Sequence, residues 1–178
     1  MILLMGIQGS GKGTQGKMLA DQHKFHLISM GDVLRMYATP AQRDRMLAGG
    51  LLADQEIIDI IDGVLNNLPD QEECILDGFP RTIPQAEWLL DQVDSGRFKI
   101  TNVIHLVASR DAVVARLINR GRVDDQPAAI DERINEYERS TQPLITWLED
   151  HGVPVNNVDA EREVSKVNDD LVKLVNQK

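Results

Sequence analysis

Met1-Ile-Leu-Leu-Met5 followed by Gly6-Ile-Gln-Gly9-Ser10-Gly11-Lys12-Gly13-Thr14 is a short apolar run that breaks into a glycine-rich turn. The order strand, turn, helix and the spacing G-x-x-x-x-G-K predict a loop that cradles phosphate. Gly6, Gly9, Gly11 and Gly13 let the backbone double back and aim successive N–H groups inward. The helix after them adds the partial positive charge of its N-terminus. Lys12 is placed to reach the outer phosphates as a point charge, and Thr14 offers a hydroxyl at the mouth of the loop. That hydroxyl comes one place later than in the plain pattern, because Gly13 follows the lysine. The stretch predicts nucleotide phosphate binding and leaves the chemistry open.

At 178 residues the chain is long enough for one compact domain with a proper core. Its net charge of −9 argues against non-specific binding to nucleic acid or to an anionic membrane surface. An acidic protein that handles polyanionic phosphate has to gather its cations locally, so the arginines carry weight. Cys74 is the only cysteine and lies in an apolar run, so it reads as a buried thiol with no disulfide and no Cys/His metal set. His23, His26, His105 and His151 are scattered, and none is spaced like a ligand pair. No stretch is long and apolar enough to span a bilayer, and the N-terminal run lacks the basic lead and the length of a signal peptide. A cytoplasmic monomer is expected.

Outward from the loop, Lys12 to about His23 reads as a helix and Phe25 to Ile28 as a strand. Ser29 or Asp32 caps a helix that carries Arg35 about one turn in. Pro40 breaks it, Ala41 to Ala48 forms another, and Gly49-Gly50 ends that one. Asp54 opens a helix through Leu65. Cys74 to Leu76 and Val103 to Val107 read as strands, each followed by a helix, over Pro84–Gln92 and Asp111–Asn119. Ile130–Ser140 and Leu144–Asp150 read as helices separated by Pro143. Val153 to Val158 is the last strand, with Pro154 suited to an edge, and Val164–Val175 the last helix. Strands alternating with helices predict an α/β fold, a mainly parallel five-stranded sheet flanked by helices on both faces. Such sheets bind ligands beyond the carboxyl ends of their strands, where Gly6, Ser29, Asp77 and Ser109 gather.

Asp77 directly follows a buried apolar strand, where a phosphate-loop protein places a carboxylate that helps hold Mg²⁺, directly or through water. Arg81 follows, and Arg116, Arg120, Arg122, Arg133 and Arg139 crowd one region of the acidic chain. Together with the phosphate loop, the stretches Gly31-Asp-Val-Leu-Arg35, Asp77-Gly-Phe-Pro-Arg-Thr-Ile-Pro-Gln-Ala86 and Arg120-Gly-Arg-Val-Asp-Asp125 resemble the adenylate kinase family of nucleoside monophosphate kinases. The resemblance runs from Met1 to about Leu148, and Asp77 to Ala86 is its most specific part.

The resemblance implies a P-loop kinase that moves the γ-phosphoryl group of Mg-ATP to AMP, giving two ADP. It implies one domain over 1–178, with a core (1–28, 61–119, 126–178), a monophosphate-binding arm (about 29–60) and a short lid (about 119–125). Gly9, Ser10, Gly11, Lys12, Gly13 and Thr14 would bind the ATP phosphates, with Arg116, Arg120 and Ala160 also on the ATP side. Arg35 and Arg81 would grip the acceptor phosphate, with Gly78, Phe79 and Pro80 as the wall beside it. Met30, Leu51, Leu52 and Ala53 would line the acceptor pocket, and Gln85 would pair with the base. Lys12, Arg81, Arg120, Arg122 and Arg133 would surround the transferring group, the last two also touching AMP. An amide that donates and accepts matches adenine, which favours AMP. The lid is of the short kind, with no structural zinc. Met30 stands where the family carries a small residue, Gln8 where it carries proline, and the arm from Arg35 to Gly50 is short. A UMP/CMP or deoxynucleotide kinase is the alternative, and a non-catalytic nucleotide-binding module a further one.

Overall fold

The computed structural model describes residues 1–47, 52–68, 73–121 and 126–177. The strands are β1 (Ile2–Met5), β2 (His26–Ser29), β3 (Cys74–Asp77), β4 (Asn102–Val107) and β5 (Val155–Asp159). They form one parallel sheet in the order β2-β3-β1-β4-β5. The predicted α/β architecture is therefore the observed one, with β5 at an edge and Pro154 just before it. All four residues of β1 are buried, as a central strand covered on both faces requires.

The helices among the described residues are α1 (Lys12–His23), α2 (Met30–Tyr37), α3 (Pro40–Leu47), α4 (Asp54–Asn66), α5 (Ile83–Asp94), α6 (Arg110–Arg120), α7 (Pro127–Glu136), α8 (Gln142–Asp150) and α9 (Val164–Asn176). Two clusters of apolar side chains pack on opposite faces of the sheet. Leu3, Met5, Leu76 and Val103 point into one with Phe79, Leu89 and Leu144, while Ile2, Leu4, Ile75 and Ile104 point into the other with Leu19 and Leu171. The alternation along β1 follows from the two-residue period of a strand. A third cluster joins Ile7 of the loop to Val113, Leu117, Ile130 and Ile134. It ties the phosphate loop to α6 and α7.

Three of the boundaries that differ from expectation have a clear physical reason. Pro40 is the first residue of α3 and not merely a break, since a first-turn proline loses no helical bond. α2 starts at Met30, so Asp32 lies in its first turn and is not its cap. Pro143 does not separate two helices: α7 runs into α8 through a π-turn over Tyr137–Thr141. There the Gln142 N–H bonds Tyr137 O, one residue further back than in an α-helix. The wider turn admits a proline that has no N–H of its own to give.

Candidate active site

The loop between β1 and α1 is held open by its glycines. Gly6 has φ +136°, and a Cβ there would stand 2.5 Å from the Leu106 carbonyl oxygen of β4. Gly11 and Gly13 face the opposite situation: nothing lies within 4 Å of an added Cβ at either. Backbone thus presses on the sheet at one end of the loop and opens to a cradle at the other. Ser10 is buried, and its Oγ has no hydrogen-bond partner. An open cradle, an orphaned hydroxyl and the N-terminus of α1 together fit a phosphate chain.

Lys12 folds back over this loop. Its Nζ donates to Gly6 O at 2.7 Å and Ile7 O at 3.0 Å. Burial brings its pKa down to about 8; Asp77 opposes that shift, while Arg81 and Arg120 add to it. Burial also raises the Asp77 carboxyl above its ordinary value, and Lys12 and Arg81 pull it back. Arg81 is lowered by burial, then supported by Asp77 and pushed further down by Arg133. Residues from β1–α1, β3–α5, α6 and α7 therefore share one electrostatic neighbourhood at the carboxyl edge of the sheet.

Arg81 is held from three directions. Its Nε donates to Gly78 O at 2.8 Å, its N–H donates to Gln85 Oε1 at 2.8 Å, and its carbonyl accepts from Thr141 Oγ1 at 3.1 Å. Gly78, Phe79 and Pro80 are buried beneath it, with Phe79 edge-on to Trp88 at 6.1 Å between centroids. Arg116 spans the nucleotide loop and the far side of the sheet, donating to Ser10 O at 3.4 Å and Ala160 O at 2.7 Å. Gly9 backs onto Val113 and Leu117 of α6, and Thr14 is exposed. On the arm, Arg35 pairs with Asp32 at 2.5 Å on the surface. Leu52 is half-buried and Ala53 sits exposed just before α4, its N–H bonded to Glu56 Oε2 at 2.9 Å. Met30 is 2% exposed and packs in the core cluster with Val33 and Phe79. Leu51 and Arg122 lie outside the described residues.

Three groups had no assigned part in the sequence reading. Asp54 accepts from both Thr82 Oγ1 and Gln85 Nε2. Thr141 braces Arg81 across the cleft. His105 lies between Asn157 and Tyr137, 2.7 Å from each, and Tyr137 donates on to Gln142 Oε1 at 3.0 Å. Burial lowers the pKa of His105 and raises that of Tyr137 to about 12. Nothing local in the sequence marks any of the three, since Asp54 lies 28 and 31 positions from its partners Thr82 and Gln85.

For Mg²⁺, Asp77 supplies the hard oxygen donor that the ion prefers, beside a loop shaped for the phosphates that would share it. Among the described residues no group of three His, Cys, Asp or Glu side chains could hold a metal ion unaided. Nor is any helix among them long and apolar enough to cross a membrane.

A phosphate loop on β1, a carboxylate ending β3 and arginines converging from the β3–α5 turn, α6 and α7 define a P-loop nucleoside monophosphate kinase core. A family model described as adenylate kinase matches residues 4–153. The adenylate kinase of Trichodesmium erythraeum is 38% identical, with 83% of each chain covered. That of Nitrobacter hamburgensis is 33% identical over 99% of this chain and 92% of its own, and that of Porphyromonas gingivalis 34% over 83% and 81%. The chain belongs to the adenylate kinase family.

Proposed function

We propose that this chain moves the γ-phosphoryl group of Mg-ATP to AMP, giving two ADP, as a cytoplasmic monomer serving nucleotide balance. The observation that carries the reading is the convergence of Lys12, Asp77, Arg81, Arg120 and Arg133 beside an open phosphate cradle. Simple nucleotide binding has no use for arginines beyond the loop.

The attacking group is an oxygen of the AMP phosphate, already anionic near neutral pH, so no side chain needs to act as base. Positioning and charge neutralisation remain. Lys12 exchanges two backbone carbonyls for phosphate oxygens when ATP arrives. Arg81, fixed by Gly78, Gln85 and Thr141, presents the rest of its guanidinium to the acceptor phosphate, joined there by Arg35. Arg120, Arg122 and Arg133 neutralise the group in transit. Arg116 holds the loop to the Ala160 segment and so shapes the ATP side. Asp77 would hold Mg²⁺, directly or through water, and the ion would supply charge neutralisation on the ATP phosphates. The arm over 29–60 and the lid over 119–125 close on the nucleotides and exclude the water that would hydrolyse ATP.

The test is ADP formation from Mg-ATP with AMP, UMP, CMP, GMP or dUMP, each against a blank without acceptor. AMP is expected to give the strong signal. A pyrimidine monophosphate in its place would overturn the acceptor assignment, and ATP binding without acceptor-dependent ADP would overturn the enzyme.

A further inference from the structure

Gln85 is 5% exposed, and both ends of its amide are engaged within the protein. Oε1 accepts from the Arg81 backbone N–H at 2.8 Å, and Nε2 donates to Asp54 Oδ1 at 2.8 Å. The same Asp54 oxygen accepts from Thr82 Oγ1 at 2.8 Å. A glutamine amide has nearly the same shape when turned end for end, and turning it exchanges donor and acceptor. Here the partners forbid the exchange. A carboxylate only accepts, and a backbone N–H only donates. The turned amide would set oxygen against carboxylate and NH₂ against N–H, in a place with almost no access for water to compensate. Asp54 is itself anchored. It is the first residue of α4, where the helix N-terminus favours negative charge, and Thr82, the N-cap of α5, holds it from the other side.

We propose that Asp54 is a positioning residue for base choice: by fixing the donor and acceptor ends of Gln85 it commits the acceptor pocket to adenine and against 6-oxopurines. The inference rests on the reading that Gln85 meets the acceptor base. After its two internal bonds the amide keeps one N–H and one lone pair for that purpose. Adenine donates from its 6-amino group and accepts at N1. Hypoxanthine has the same outline but accepts at O6 and donates at N1. A glutamine free to turn serves both rings; one held by Asp54 serves one.

The experiment compares kcat/KM for AMP and IMP in the full-length protein, in Asp54→Asn and in Gln85→Ala. Asparagine offers either an oxygen or an NH₂, so the Asp54 half of the lock is lost and only the Arg81 N–H still opposes the turned amide. The AMP-to-IMP ratio is expected to fall about tenfold, equivalent to ~1.4 kcal/mol of orientation preference, with the change carried by a gain on IMP. General damage to the arm would lower both substrates and leave the ratio alone. In Gln85→Ala the ratio should collapse through loss on AMP. If Gln85→Ala collapses it while Asp54→Asn holds it within about twofold, the role of Asp54 is overturned and that of Gln85 stands. If Gln85→Ala leaves the ratio intact, both are overturned. Should Asp54→Asn not fold, hydrogen exchange of the Gln85 side-chain NH₂ in the unmodified protein decides. Protection of at least ~100-fold over a free glutamine amide is expected, and exchange at the free rate overturns the lock.

Discussion

Lys12 gives the sharpest test of how this site is wired, because its burial makes ATP affinity depend on pH with a predictable sign. In the nucleotide-free protein its pKa falls from 10.5 to about 8, chiefly by burial. At ~1.4 kcal/mol per pH unit, the fold penalises the charged form by roughly 3 kcal/mol. Phosphate oxygens arriving at Nζ favour the charged form, so the bound pKa rises. A group whose pKa rises on binding strengthens binding below its free value and weakens it as pH climbs through that value. ATP affinity should therefore hold up to about pH 7 and drop about tenfold by pH 9, with about half a proton taken up per ATP at pH 8. The last ionisation of ATP adds negative charge with rising pH and acts in the opposite direction, so the fall is not a property of the ligand. Titration calorimetry in two buffers of different ionisation enthalpy reads both the affinity and the proton. Lys12→Met should bind weakly and without proton uptake near pH 8. Flat wild-type affinity from pH 7 to 9 with no proton taken up would refute the reasoning. The free protein moves the other way. The penalty on charged Lys12 is fully present below its folded pKa and fades between about pH 8 and 10.5, so this group adds stability as pH rises through that window.

Lys12→Ala and Arg122→Ala should each lower steady-state turnover by ~10³-fold, by analogy with arginine fingers, and a loss below tenfold would remove the assigned role. Gly6→Ala forces a Cβ to within 2.5 Å of Leu106 O at φ +136°. A loss of ~2 kcal/mol or more is expected in urea unfolding, and a variant as stable as wild type would contradict the close approach of loop and sheet. His105→Leu strips Asn157 and Tyr137 of a buried partner. It should cost ~2–3 kcal/mol, read as a lower thermal midpoint, and a change under ~0.5 kcal/mol would show the network to be idle.

The sheet and most helices were legible because strand period, glycine loops and proline positions are local signals. A phosphate loop in an acidic chain also makes clustered arginines conspicuous in the sequence. What stayed hidden is how the cations are held. Thr141 reaches Arg81 across 60 positions, and Gln85 and Asp54 are 31 apart. Such contacts are decided by how α4, α5 and the π-turn pack, and no periodicity announces them. The π-turn itself was read as a break because Pro143 is a helix-stopping signal in sequence. Only the fold shows that one extra residue in the turn absorbs it. Met30, expected to line the acceptor pocket, also carries core packing with Val33 and Phe79 at 2% exposure, which no local pattern announces.

The way the cations rest before nucleotide arrives bears on catalysis. Lys12 sits on the Gly6 and Ile7 carbonyls, Arg81 on Gly78, and Arg116 on Ser10 and Ala160. Neutral carbonyls orient these groups without neutralising them. A carboxylate in the same place would have to be displaced by phosphate at the cost of a charge-assisted bond, roughly twice as strong as a neutral one. Carbonyls yield more readily, and the like charges crowded around Lys12 and Arg81 are relieved when phosphate enters. Asp77 is the exception, and it stands where Mg²⁺ would join it on the ATP phosphates. Arg35, paired with Asp32 on the exposed surface of α2, lacks this preparation. On the proposed reading, that pair is exchanged for the acceptor phosphate as the arm closes.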